Sequence, residues 1–417
     1  MRVKNEKPSP EKEMLHKLSS HDTSECHAFF GRDAYAPVLL ETVRDVRGFD
    51  QCCTMCKRKN ECTTWVYNTE TGECFFKNMP YFPERPVLFP NPKFVAGTVY
   101  RMPRFRGKKN PIQRETCITT VLTSGGGPYM TWQTRIAYNS FKAVRNIGMR
   151  YFVRVLHGAE RVGDEDSFPF ESFRVNSSGM DNHGFPVFER SYALAKWAVT
   201  PSAQRCSHVA MIESDYVFLR PFTERMMPSR GHVNALHFGY INANYEKIRP
   251  VVKKYVPPHT NLDAIPQTGN APAIMHIDDF IPLMQLWWHL TAMLESDDSA
   301  RAEMGWVRDM YSISIAMHLL NLRAWTPLVP YAPLAVQIPA DDVVGEAAIV
   351  HYTWGPIISL NGVKLWEFDK RSYDGKSVVP LPPHWQPGMR LQANETVSES
   401  LIHLLTLFVN LLNRYNN

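Results

Sequence analysis

The 417 residues are 44% hydrophobic and 21% charged, enough chain for two buried cores and too apolar for wholesale disorder. The net charge of +5 slightly favours anionic ligands. Lys and Arg are scattered rather than gathered into a stripe with interleaved aromatics, which excludes the usual kind of nucleic-acid surface.

Residues 1–25 are polar, carry prolines and show no periodicity, so they are expected to be disordered. They contain no apolar run, so the chain as given is expected to carry neither signal peptide nor membrane anchor. Six of the eight cysteines fall between Cys26 and Cys74, a density that points to disulfides and a secretory route. The sequons at Asn176 and Asn394 agree with that compartment. Prolines and the bare basic residues Arg104, Arg106, Lys108 and Lys109 mark a linker over 101–115. It separates a small unit, 26–100, from a large one, 116–417.

From residue 117 short apolar runs alternate with helical patterns, the signature of α/β layering. "CITTVLT", "YFVRVLH", "HVAMI" and "AAIVHYT" read as strands. "TWQTRIAYNSFKAVRN", "ERSYALAKWAV", "DDFIPLMQLWWHLTAMLES" and "GWVRDMYSISIAMHLLNL" read as helices. The apolar stretch 401–412 is interrupted by His403 and Asn410 and is too short to span a bilayer, so it reads as a terminal helix packed on the body. In such folds ligands sit at the carboxyl ends of the strands.

Glu213 and Asp215 follow the strand "HVAMI", and in extended chain residues i and i+2 point the same way. Two hard oxygen donors at that spacing suit Mg²⁺ or Mn²⁺ shared with a diphosphate. His351 ends another apolar strand and can add a nitrogen ligand; the alternative is a packed histidine bonded to backbone. "TSGGGPY" at 123–129 lacks the lysine of a P-loop, and its glycines either admit a ligand to the backbone or form a turn. Neither H-E-x-x-H nor G-x-S-x-G occurs, which argues against zinc proteolysis and α/β-hydrolase chemistry.

The stretches "HVAMIESDYVFLRPF", "NYEKIRPVVKKYVP", "TGNAPAIMHIDDF", "GWVRDMYSISIA", "IVHYTWG" and "WEFDKRSY" resemble, in order and spacing, the plant and algal hydroxyproline O-arabinosyltransferases over about residues 117–412. Peptidyl serine α-galactosyltransferases share "MHIDDF" followed by "GWVRDMY". The resemblance implies a lumenal Golgi glycosyltransferase with a GT-A-like, Rossmann-like nucleotide-sugar fold and Mn²⁺ or Mg²⁺ as cofactor. It would transfer L-arabinofuranose from UDP-β-L-arabinofuranose to hydroxyproline in secreted or cell-wall, extensin-like proteins, with retention of configuration.

By position, the resemblance places Glu213, Asp215 and His351 on the family's metal motifs. It places Gln133, Arg135, Asp278, Asp279, Lys370 and Arg371 at the donor, and Asp309 at the acceptor hydroxyl as a catalytic group. Asp278 and Asp279 also open a helix, where carboxylates serve equally as caps. The family has Glu where this chain has Asp309, and Pro and His where it has Ser214 and Tyr216, a change that bears on sugar preference. Trp287, Trp288, Trp306 and Trp354 are available to line a groove for a polyproline II acceptor. Two other readings are a peptidyl serine galactosyltransferase and a catalytically silent binding protein; the second predicts loss of metal ligands that are in fact present.

"DQCCTMCKRKNECTTWVYNTETGECFFKN" resembles a PAN/Apple module, a small disulfide-rich α+β unit. Cys52 and Cys56 would share one helix face, from which Cys56 can reach Cys62 and Cys52 can reach Cys74. Zinc is disfavoured because the thiols form no paired C-x-x-C arrangement. Cys26 and Cys53 are left unassigned, and Cys117 and Cys206 are expected to remain free. Such a module would bind a glycan or protein and deliver acceptors.

Overall fold

The structure is a computed structural model that describes residues 26–34, 38–59, 61–78, 88–99, 114–158, 168–175, 184–256, 260–392 and 395–416. The disordered segment expected over 1–25, the basic residues of the linker and both sequons lie outside these residues. The chain divides into two compact units between Lys109 and Asn110.

The first unit comprises β1 (Cys26–Ala34), β2 (Val38–Val43), α1 (Phe49–Arg58), β3 (Thr64–Asn68), β4 (Cys74–Asn78) and β5 (Leu88–Val99). Its sheet runs β1-β5-β3-β4-β2, antiparallel throughout. α1 turns Cys52, Cys53 and Cys56 inward, where they join Trp65 and Phe76 in a small core. Disulfides link Cys52 to Cys74 and Cys56 to Cys62, and Cys53 is disulfide-bonded as well. Covalent staples supply the stability that so thin a core lacks.

The second unit is built on a seven-stranded mixed sheet, ordered β13-β11-β12-β9-β6-β7-β8. Its strands are β6 (Glu115–Ser124), β7 (Met149–Leu156), β8 (Glu171–Arg174), β9 (Cys206–Glu213), β11 (His232–Ala235), β12 (Ala273–His276) and β13 (Arg323–Trp325), with β10 (Tyr216–Phe218) in another sheet. β6 is buried over its last eight residues, as the β-branched run "ITTVLT" requires of a central strand. It pairs in parallel with both β7 and β9, whereas β12 runs antiparallel to β9.

The helices are α2 (Pro128–Val144), α3 (Phe188–Ala198), α4 (Ile248–Val252), α5 (Ile277–Glu295), α6 (Asp298–Met304), α7 (Arg308–Leu319) and α8 (Glu399–Tyr415). "GWVRDMYSISIAMHLLNL" is not one helix: Gly305 takes φ 52° and a 3₁₀ turn covers Gly305–Val307, so α7 begins only at Arg308.

β10 leaves the large sheet for a three-stranded one with β14 (Ala335–Ile338) and β15 (Ile349–Tyr352), in the order β10-β15-β14. A last sheet holds β16 (Ile357–Leu360), β17 (Val363–Glu367), β18 (Met389–Leu391) and β19 (Glu395–Thr396). The apolar face of α8 packs with it and with Trp132 and Tyr352 in one core.

Cys117 and Cys206 are not free. They form a disulfide, with Cα atoms 4.9 Å apart, because β6 and β9 are neighbours and the irregular register between Glu115 and Ile118 brings Cys117 alongside Cys206.

Candidate active site

β9 is a central strand that ends at Glu213, and two turn residues later the chain enters β10. There Tyr216 pairs directly with His351 of β15. The handover between two sheets therefore sets Glu213, Asp215 and His351 together, each offering one ligand atom within 4.8 Å of the others. His351 is buried; its Nε2 lies 3.5 Å from Asp215 Oδ2, and its Nδ1 has no hydrogen-bond partner among the described residues. It is thus not the backbone-satisfied core histidine that its sequence by itself favoured.

Two buried cations hold the acids. Lys370 Nζ is 2.6 Å from Asp215 Oδ2 and donates to the Tyr352 carbonyl at 3.0 Å. Burial opposes the charge on Asp215, but Lys370 and His351 hold its carboxyl well below the usual range. Arg190, in the first turn of α3, donates to Glu213 and lies 3.7 Å from Asp309 Oδ2. Asn270 adds a longer bond to Glu213, 3.3 Å. Asp309 is 3% exposed; burial pushes its carboxyl up to about 6, with Arg190 opposing and Glu213 reinforcing the shift.

A cavity of about 340 Å³ opens beside the acids, at the carboxyl ends of β6, β7 and β9. Its wall includes Ser124, Gly125, Gln133, His157, Arg190 and Asp215. Gly127 takes φ 100° immediately before Pro128, so the glycine run opens α2 with Gly125 and Gly126 on the cavity wall. His157 lies 3.7 Å from Glu189, and burial lowers its basicity.

The structure gathers Gln133, Lys370 and the three candidate metal ligands at this place, but not the remaining candidates. Arg135 is two residues from Gln133, about 200° round the helix, and donates instead to the Gly375 carbonyl at 3.0 Å. Arg371 follows inward-turned Lys370 and is exposed. Asp278 and Asp279 follow β12, whose His276 lies opposite His208. They are therefore about 16 Å along the sheet from Glu213. There Asp278 pairs with Arg114, and Asp279 accepts from the Gly231 N–H and faces Arg230. The cap of α5 is the His276 side chain, which accepts from the Asp278 N–H, so the two carboxylates stand in the first turn as ion-pair and dipole partners, away from the cavity.

Asp309 neighbours the site but is not on the cavity wall, since it sits behind Arg190 in the first turn of α7. Trp287 is core and Trp288 packs between Phe188 and Tyr192. Trp306 and Trp354 are exposed, but neither lines the cavity. Arg190 lies in none of the stretches that carry the family resemblance and Asn270, although within "TGNAPAIMHIDDF", has no role assigned by it; only the fold brings them to Glu213.

Residues 118–325 match the hydroxyproline O-arabinosyltransferase family N-terminal domain. The second unit belongs to the hydroxyproline O-arabinosyltransferase family. The chain is accordingly an enzyme, a glycosyltransferase of that type. His351 and Lys370 lie beyond the matched segment, and the structure brings them back to it.

The chain is similar to hydroxyproline O-arabinosyltransferase 1 of Arabidopsis thaliana, 29% identical over 329 residues, covering 74% of this chain and 83% of that one. It is also similar to hydroxyproline O-arabinosyltransferase PLENTY of Lotus japonicus, 27% identical over 300 residues, covering 68% and 79%. Residues 26–98 match the PAN domain family. Among solved structures, the apo WbbM bifunctional glycosyltransferase overlaps 63% of this chain and 50% of its own at 12% identity, with a TM-score of 0.35; so loose a likeness carries no weight.

Proposed function

We propose that this enzyme transfers L-arabinofuranose from UDP-β-L-arabinofuranose to hydroxyproline in secreted or cell-wall proteins, with retention, on a GT-A-like domain that uses Mn²⁺ or Mg²⁺. The observation that carries the reading is the meeting of Glu213, Asp215 and His351 beside a cavity at the strand ends. Two carboxylates and an imidazole whose Nδ1 has no partner among the described residues fit a hard or borderline divalent cation. When bound, such an ion supplies Lewis-acid stabilisation of a departing diphosphate.

The chain's own groups do the rest. Lys370 and Arg190 fix the acids in place. Gly125 and Gly126, on the cavity wall, let phosphate oxygens approach the backbone closely. The bond from the anomeric carbon to the diphosphate breaks with its electron pair leaving on UDP. The hydroxyproline oxygen bonds to that carbon, and its proton passes to a phosphate oxygen. Disulfides in both units favour an oxidising lumen such as the Golgi.

Incubation with Mn²⁺, a panel of UDP-sugars and hydroxyproline or serine peptides, followed by peptide mass measurement, tests the proposal. A pentose on hydroxyproline is expected. A hexose on serine gives the galactosyltransferase reading, for which Ser214 and Tyr216 are the motivating departures, and transfer to neither overturns both. Asp215→Asn is expected to lose Mn²⁺ binding in isothermal titration as well as transfer; unchanged Mn²⁺ binding removes the metal assignment.

A further inference from the structure

A second cavity of about 200 Å³ lies between the chain after β11 and the Pro-rich segment before and after β14. Tyr240, Phe238, Leu328, Val329, Gln337 and Asp341 are on its wall. Around it the surface is unusually apolar: Tyr240 is 48% exposed, Tyr245 47%, Leu328 63% and Tyr331 69%. The ridges are fixed. Tyr311 donates to the Tyr240 carbonyl at 3.1 Å, Tyr245 to the Gly239 carbonyl at 3.0 Å, and the Tyr331 N–H to the Leu328 carbonyl at 2.9 Å. Asp341 anchors the far side by accepting from the Gln337 N–H at 2.7 Å.

This groove adjoins the reaction centre on two sides. Gln337 pairs with His351 across β14 and β15, so the backbone of the groove wall is one strand spacing, about 4.8 Å, from the backbone that carries His351. On its other side the Tyr240 hydroxyl lies 3.9 Å from Met310 Sδ, next to Asp309. A chain lying here would reach the acids from a different side than a ligand in the first cavity, the arrangement that a two-substrate transfer needs.

We propose that this groove is the acceptor subsite and takes a polyproline II segment rich in hydroxyproline; the inference rests on the function proposed above. Polyproline II chains have no internal hydrogen bonds, carry a ring face at every third of a turn, and lose little entropy on docking between rigid aromatic ridges. Hydroxyproline rings offer an apolar face for Tyr240 and Leu328 together with a hydroxyl that can point to the adjoining centre.

The test is isothermal titration of the full chain with a hydroxyproline decapeptide and a Gly/Ser decapeptide, for the native protein, Leu328→Asp and Tyr331→Ala. Both substituted residues are exposed and outside the catalytic machinery. The native protein is expected to prefer the hydroxyproline peptide, and each variant to bind it about tenfold more weakly, with Mn²⁺ binding unchanged. Equal binding by all three proteins, or no preference between peptides, overturns the proposal. A native dimer in light scattering that Leu328→Asp dissolves also overturns it, since the patch is then a self-interface. Binding that the variants lose while no peptide is ever glycosylated leaves the groove standing and sinks the proposed activity instead.

Discussion

Arg190 stands between Glu213 and Asp309, so one buried cation answers two acids, while Lys370 answers Asp215. Burial outweighs what Arg190 returns to Asp309, whose carboxyl is pushed up to about 6. A group with a raised folded-state value favours the fold below its ordinary, unfolded value near 3.8 and loses that contribution as pH rises through about 6. At neutral pH the ionised Asp309 therefore costs on the order of 2–3 kcal/mol. Asp309→Asn is expected to melt at a higher temperature than the native protein at about pH 7.5, with the difference vanishing by about pH 4. Its transfer rate is expected to fall, because Arg190 is held less firmly against Glu213. Calorimetry across that range checks the sign; a variant less stable at neutral pH means that the Arg190 contact outweighs burial.

At the scale of elements, the site depends on the chain passing from β9 to β10 and on the loop that brings Lys370 inward. Gly355 packs against that loop: a Cβ there would stand 2.7 Å from the Phe368 carbonyl oxygen and 3.2 Å from Asp369 Cα, both backbone atoms with little room to yield. Gly355→Ala is expected to cost about 1–3 kcal/mol through overpacking and to lower transfer more than stability requires, by displacing Lys370 from Asp215. Urea unfolding beside a transfer assay separates the two effects.

The strands and helices around this site were readable because their burial is continuous or periodic, as in "ITTVLT" and "YALAKWA". Glu213 and Asp215 were readable because a strand end followed by acids is a local pattern. Arg190, Asn270 and the Cys117–Cys206 bridge were not, since each depends on which strands and helices become neighbours, something no local pattern records. Asp278 and Asp279 misled for the related reason that "HIDD" looks the same whether its strand runs parallel or antiparallel to β9. Only the antiparallel pairing of β12 carries them to the far end of the sheet.

For the whole molecule, the division of labour between the two units is open to a direct experiment. Every residue assigned to the site belongs to the second unit, which has its own sheets, core and disulfide. The first unit has a separate five-stranded sheet and a core closed by its own disulfides. The chain from Asn110 onward is therefore expected to fold alone, with kcat/KM for a short hydroxyproline peptide within about twofold of the full chain, a difference below about 0.4 kcal/mol. A PAN module that delivers acceptors acts through KM, so deletion is expected to raise KM for a full-length glycoprotein acceptor while leaving kcat unchanged. A fall in kcat for the short peptide would instead show that the first unit contributes to the chemistry, and the assignment of the whole site to residues 110–417 would fail.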